Sequence, residues 1–356
     1  HATAHTMAAS ACRVAAREAP FLDLPKAGAP TCVFMTGVTK NVAKYFPGVR
    51  CIMQRLHDHR SRYPLVLAVS ADEAEQAQAE VDASPKLSVN TTIMRWSRFP
   101  HAPRLSGWAR RWQGSRVLDK LNVLGAPFER VVWVDADMLL TRNVDELCEM
   151  RGRLAAAYNT GYEARTCWSR TNAHLGDQCE GCRHHGVRKD ERANTYWVRK
   201  GLDEQARGAR EGKPLCNYEV NTGVMVIEPF NRSAFDRMVD LVACDRALSR
   251  DGGDQGIINS LAYGHDVFDN VTLLPFRYNA IHRVQMLRPN VWRRWDPSIV
   301  HIVGDRKPWS PAARLAAGTK CNHSTECLGN NPYFEQEREW LRACPVPSGG
   351  ALTSRT

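Results

Sequence analysis

Three short segments of this chain are apolar almost throughout: Thr31-Cys-Val-Phe-Met-Thr36, Tyr63-Pro-Leu-Val-Leu-Ala-Val69 and Val131-Val-Trp-Val134. A strand with one face in water alternates apolar and polar residues, whereas one covered on both faces does not. Helical stretches over 45–59, 71–81 and 115–124 lie between them. Buried strands alternating with helices predict a parallel sheet with helices on both faces. The pattern resumes with a strand over 220–229, helices over 232–248 and 254–263, and strands over 269–274 and 298–302.

The chain has 356 residues, enough for about two domains or one large α/β unit. At 43% hydrophobic and 24% charged it can bury a core, which excludes wholesale disorder. No apolar run reaches the ~18 residues that a membrane-spanning helix needs. The net charge of +10 suits acidic partners such as phosphates, anionic lipid headgroups or nucleic acid. Nucleic acid is set aside, because the chain lacks an RNA-binding aromatic signature, complete zinc-finger spacing and basic heptads.

Twelve cysteines and four N-x-[ST] sequons (at Asn90, Asn231, Asn270 and Asn322) together favour an oxidising secretory lumen. The stretch 161–216 breaks the α/β pattern and carries Cys167, Cys179, Cys182 and Cys216. Cys179-Glu-Gly-Cys182 with flanking Cys and His174, His184 or His185 also fits a zinc module, but the secretory signals favour disulfides. Residues 1–30 read as a tag remnant and loose stem. The expected location is the Golgi lumen. Membrane contact would come only from an anchor outside this chain or from the basic runs 183–192 and 207–213.

The sequence Val131-Val-Trp-Val-Asp135-Ala-Asp137 places two carboxylates at the carboxyl end of a buried strand, where open α/β sheets bind ligands. On a strand, residues i and i+2 share a face, so both would project together. Two hard oxygen donors suit Mg²⁺ or Mn²⁺, which bind diphosphates. The plainer alternative is a strand-end turn with solvated carboxylates. In Ser298-Ile-Val-His301-Ile-Val-Gly304-Asp-Arg-Lys307-Pro-Trp309, His301 would add an imidazole ligand. Gly304 would let backbone approach a phosphate, and Lys307 would bring positive charge. Alone, this segment reads as a core histidine before a Lys-Pro loop. Asn221-Thr-Gly-Val-Met-Val-Ile-Glu-Pro229 and Asp251-Gly-Gly-Asp254-Gln255-Gly256 put short polar side chains at junctions suited to sugar hydroxyls. Asp251 equally reads as a helix N-cap.

The ordered set V-W-V-D-A-D-M-L, N-T-G-V-M-V-I-E-P, D-G-G-D-Q-G, L-P-F-R-Y-N and H-I-V-G-D-R-K-P-W resembles glycosyltransferase family 8, with its best match in the glycogenin-like branch. The resemblance spans roughly 31–309 without the Cys-rich insertion. It implies a GT-A type, Rossmann-like mixed α/β sheet flanked by helices, in a single catalytic domain. It further implies a retaining transferase that uses a UDP-sugar with Mn²⁺ (or Mg²⁺). The expected organisation is a nucleotide-sugar-binding half over 31–160, the Cys-rich insertion over 161–216, an acceptor and metal-completing half over 217–310, and a Cys-containing extension over 311–356. Carried over, Asp135, Asp137 and His301 would be the metal ligands, Ala136 would lie between the two carboxylates against the donor, and Gly304 and Lys307 would hold the diphosphate. Met35, Thr36 and Tyr45 would lie near the uridine. Arg111 and Lys120 would contact the donor. Asn221, Thr222, Gly223, Asp251, Asp254 and Gln255 would line the sugar and the reacting face.

Asp254 is the carboxylate nominated as nucleophile, and Gln255 would instead orient a cation-like sugar. Same-face attack guided by the leaving phosphate is preferred to double displacement, because a phosphate oxygen can accept the acceptor's proton. The stretch 281–288 has no tyrosine where a self-glucosylating glycogenin carries its acceptor. The expected acceptor is therefore a separate glycan, glycolipid or glycoprotein. The alternative is a catalytically silent carbohydrate-binding relative, which would need a lost metal ligand or donor contact.

Overall fold

The first apolar segment forms strand β1 (Cys32–Val38), and its surroundings explain why it has no polar face. It pairs in parallel with β2 (Leu65–Ser70) on one side and β4 (Arg130–Val134) on the other. Val33 and Met35 enter the core on one face of the sheet, and Cys32, Phe34 and Val38 enter the core on the opposite face. In β4, Val131 and Trp133 are likewise opposed to Val132 and Val134. Each such side chain contributes on the order of 1.5–3 kcal/mol when removed from water. This computed structural model describes residues 31–38, 41–84, 87, 89–99, 116–158, 220–244, 253–264, 268, 271–282, 285, 292–293, 296–303, 307–309 and 339–344. All of 161–216 and most of 311–356 fall outside them.

With β3 (Thr91–Trp96), β6 (Leu154–Tyr158), β7 (Val220–Ile227) and β8 (Val271–Leu273), the sheet runs β3-β2-β1-β4-β7-β6-β8. The mixed sheet flanked by helices is borne out. The wholly parallel arrangement predicted from strand and helix alternation is corrected at β7, which is antiparallel to both β4 and β6. β7 is buried on both faces like its parallel neighbours, so apolar content alone could not reveal its direction.

Helix α1 (Val42–Asp58) begins three residues before the expected start. Asn41 takes a left-handed conformation (φ 62°) and its side chain accepts from the Lys44 N–H. The distant Glu73 carboxylate accepts the N–H groups of Asn41 and Val42 at 2.6 and 2.9 Å. These bonds satisfy orphan donors of the first turn. Helix α2 (Ala74–Asp82) follows a 3₁₀ turn at Ala71–Glu73. The expected helix over 115–124 is instead a 3₁₀ segment, Val117–Gly125, buried from Leu118 onward. Helices α3 (Arg232–Cys244) and α4 (Asp254–Gly264) complete the layers. Among the described residues no helix is long and apolar enough to cross a membrane.

A small second sheet positions the site. Strand β10 (Ile299–His301) runs antiparallel to β5 (Met138–Leu140), with His301 opposite Met138, and parallel to β9 (Ala280–Ile281). It brings the turn after β4 against a segment more than 150 residues away in sequence. A third core, with Cys51, Leu139, Val300, Ile302, Trp309, Trp340 and Cys344, lies beneath it. Disulfides join Cys32 to Cys148 and Cys51 to Cys344, the latter closing 293 residues of chain.

Candidate active site

Strand β4 ends at Val134, so Asp135 and Asp137 sit in the turn that joins β4 to β5. The alternation argument therefore gave the right neighbours for the wrong reason: a turn, not a shared strand face, brings them together. The Asp135 N–H donates to Gly223 O at 2.8 Å, and the Met138 N–H closes the turn on Asp135 O at 3.2 Å. The Ile302 N–H donates to Asp137 O at 3.0 Å, which ties the turn to the end of β10. Asp135, Asp137 and His301 can each offer one ligand atom, all within 4.8 Å of one another.

Two glycines make this convergence possible. A Cβ at Gly48 would lie 2.0 Å from Ala136 O, so α1 touches the backbone between the two aspartates. A Cβ at Gly223 would lie 2.6 Å from His301 Cε1 and 2.5 Å from Met138 Cε. Neither approach tolerates a side chain without movement.

Around the three residues the charges are compensated. Lys307 Nζ donates to Asp137 Oδ2 at 2.5 Å and to Ile302 O at 3.0 Å. The other oxygen, Asp137 Oδ1, is buried without a hydrogen-bond partner among the described residues and lies 3.5 Å from His301 Nε2. Burial opposes ionisation of Asp137, but His301 and Lys307 outweigh it and hold the carboxyl well below the usual carboxylate range. Burial pushes the Asp135 carboxyl up against the pull of Lys120, and the charge of Asp137 adds to the rise.

Asp135 Oδ1 accepts from Trp133 Nε1 at 2.7 Å and Lys120 Nζ at 2.9 Å. Lys120 Nζ also reaches Asp254 Oδ2 at 3.0 Å and Thr222 O at 2.8 Å. Burial alone would lower the pKa of this ammonium, but the two carboxylates hold it raised. Three N–H donors thus have three good acceptors within the protein. Asp254, the first residue of α4, also accepts from Thr222 Oγ1 at 2.8 Å. Gln255 Oε1 accepts from Asn221 Nδ2 at 3.1 Å.

Among the other expected donor contacts, Met35 and Thr36 are wholly buried in β1, and Thr36 Oγ1 lacks a partner among the described residues. Tyr45 is half-buried on α1 and packs on the second and third cores. Ala136 is buried. Arg111, Asp251 and Gly304 lie outside the described residues, as do the cysteines of the insertion. Sequence reasoning gave no role to Asn279, although it ends the L-P-F-R-Y-N motif. Its Oδ1 lies 2.9 Å from His301 Nδ1, and it is fully buried. Trp133 read simply as a strand residue, because nothing in an apolar run shows that an indole N–H will meet a carboxylate.

No protein-family model matches the chain. Glycogenin-1 of Caenorhabditis elegans is 31% identical over 100 residues, which are 28% of this chain and 23% of that protein. The chain thus spans about a quarter of the length of this curated relative. The glycogenin-like resemblance carried by the ordered motifs is borne out by this relative. Solved structures similar to the chain include the WbbM bifunctional glycosyltransferase (TM-score 0.49, 14% identity, 90% of this chain and 54% of that one). The galactosyltransferase LgtC with donor and acceptor sugar analogues has a TM-score of 0.47 at 14% identity, covering 88% and 97% of the two chains.

Proposed function

We propose that this chain is a retaining glycosyltransferase that moves a hexose-type sugar from a UDP-sugar to a separate glycan, glycolipid or protein acceptor, with Mn²⁺ or Mg²⁺. The convergence of Asp135, Asp137 and His301 carries this reading. Asp137 Oδ1 is buried and has no hydrogen-bond partner among the described residues, an arrangement that is costly unless something positive fills the site. Two carboxylates and one imidazole form a mixed O/N set that Mn²⁺ accepts. A divalent cation bound there would neutralise charge on a departing diphosphate.

The chain's own residues supply the rest. Lys307, already held over Asp137, adds a fixed positive charge on the same side. Lys120 clamps Asp254 to Asp135, so its part is to hold the carboxylates in place more than to bind the donor itself. Asp254 and Gln255 are the side chains assigned to the reacting face. Same-face attack remains the preferred route, since Asp254 Oδ2 is engaged by both Thr222 and Lys120. An oxidising compartment, with the Golgi lumen proposed, is supported by the Cys32–Cys148 and Cys51–Cys344 bridges and by the exposed sequon residues Asn90 and Asn231. The test is a panel of UDP-sugars assayed for Mn²⁺-dependent hydrolysis. Hydrolysis of one or two donors is expected, and a flat response across the panel with and without metal would overturn the proposal.

A further inference from the structure

We infer that Asn279 and Asn221 form an amide relay that fixes the tautomer of His301 and the orientation of Gln255, which makes Asn279 a positioning residue for the metal site. The inference rests on the reading of Asp135, Asp137 and His301 as metal ligands. It starts from an N–H whose direction is not in question. The backbone N–H of Gly223 can only donate, and it meets Asn221 Oδ1 at 2.9 Å. The Asn221 oxygen is therefore the atom facing Gly223. Asn279 approaches the same oxygen at 2.8 Å, so it must present its NH₂ group there. Its own oxygen is then left facing His301 Nδ1 at 2.9 Å. An oxygen that only accepts requires Nδ1 to carry the hydrogen. In the neutral ring, His301 Nε2 is then left with its lone pair, on the side where Asp137 Oδ1 lies 3.5 Å away. This is the form in which an imidazole binds a metal.

The relay also runs the other way. With its oxygen committed to Gly223 and Asn279, Asn221 turns its NH₂ toward Gln255 Oε1. The Gln255 NH₂ group is then the half of that amide available to an acceptor on a ligand. One backbone N–H thus sets the polarity of four side chains, because each can satisfy its neighbour in only one orientation. Asn279 is fully buried and Asn221 nearly so, and a reversed amide would place donor against donor at the cost of a lost buried bond. Gly223 serves twice, as the donor that anchors the relay and as the residue without a side chain beside the imidazole.

Two measurements test this. In metal-free protein with ¹⁵N-labelled histidine, at alkaline pH, two-bond ¹H–¹⁵N correlations report the tautomer, with His301 assigned by its loss in His301→Gln. The Nδ1–H form is expected; the Nε2–H form in the wild-type chain overturns the relay. In the second, Mn²⁺ binding is followed by the loss of free-ion paramagnetic resonance. Asn279→Leu is expected to weaken binding by about tenfold to a hundredfold, the usual effect of losing a partner behind a ligating histidine. Unchanged affinity in a folded Asn279→Leu protein also overturns it. If that variant fails to fold, the wild-type tautomer still decides. A wild-type chain that binds no Mn²⁺ would refute the metal site itself, while the tautomer would continue to judge the relay.

Discussion

His301 Nε2 stands 3.5 Å from Asp137 Oδ1, too far for a good hydrogen bond and close enough for both atoms to share a cation. The other Asp137 oxygen is taken by Lys307. The two oxygens of one carboxylate therefore differ: one has a partner within the chain, and the other is the atom that the proposed function assigns to a cation.

Asp137→Asn keeps the shape of that side chain and removes its charge. The amide oxygen can still accept from Lys307, so the fold should survive with a modest loss of stability. Mn²⁺ affinity should fall by more than about a hundredfold, since a lost ligand costs more than the ten- to hundredfold of a lost outer partner. Titration of Mn²⁺ into both proteins, with thermal unfolding as the control for folding, checks this. Equal affinity in the two proteins would remove Asp137 from the metal site.

The central sheet was legible because β1, β2, β4 and β7 have no polar face, and continuous apolar runs survive any choice of register. The strands that escaped notice had weaker signals. β3 is an edge strand with mixed exposure, β6 is largely alanine, and β5 and β9 are only three and two residues long. The metal-ligand candidates were legible as isolated motifs; His301 could be offered as a ligand to the same ion from residue type alone, but for that segment by itself a core histidine was the plainer reading, and the family resemblance tipped the balance. The pairing of β5 with β10 that brings His301 to Asp137 is a long-range contact with no local signature. Asn279 and Gly48 make contacts that exist only after folding, so residue type and spacing could not mark them; Gly223 was placed at the sugar by the resemblance, but its closeness to the His301 ring has no local signature.

The two glycine approaches should respond differently to an added methyl group. At Gly48 the obstacle is the Ala136 carbonyl, backbone that cannot rotate away, at 2.0 Å from the new Cβ. Gly48→Ala is expected to lower stability by about 1–3 kcal/mol or more, as overpacking does, and to weaken metal binding by shifting the aspartate turn. At Gly223 the obstacles are the His301 ring and the end of Met138. Met138 can change rotamer but the hydrogen-bonded ring cannot without leaving Asn279. Gly223→Ala should therefore lose more in Mn²⁺ affinity than in stability. Urea unfolding and Mn²⁺ titration on both variants would show the contrast; identical profiles would contradict it.

The Cys51–Cys344 bridge joins α1 to a segment whose Trp340 packs on Trp309, with ring centroids 5.1 Å apart. Trp309 in turn donates its indole N–H to Lys44 O at 2.7 Å and lies two residues after Lys307. Cys344→Ser should cost about 2–5 kcal/mol, the usual range for a native disulfide. The same substitution should weaken UDP binding more than Cys148→Ser does, because the Cys32–Cys148 bridge lies in the core beside β1 and away from Trp309. Calorimetric titration with UDP and Mn²⁺, alongside thermal unfolding, separates the two effects. Equal losses of UDP affinity in the two variants would show that the Cys51–Cys344 bridge has no particular part in holding Lys307.

Asp119 offers a pH dependence that is remote from the metal ligands in its cause. The carboxylate is buried, and burial raises its pKa against the opposing influence of the Phe99 N–H that it accepts at 2.8 Å and of Arg116 and Arg98. A raised folded-state pKa means that the native chain holds this proton more tightly than the unfolded chain. The stabilisation is complete below the unfolded value of about 3.9 and is lost as pH rises through the higher folded value. Asp119→Asn cannot titrate, yet its amide oxygen can still accept from Phe99. The stability of Asp119→Asn relative to wild type should therefore increase as pH rises across this acidic window and become constant above it. Urea unfolding midpoints for both proteins over a series of pH values measure the difference directly. A difference that does not change with pH would mean that Asp119 has the same proton affinity folded and unfolded, and that the Phe99 bond and the nearby arginines offset its burial.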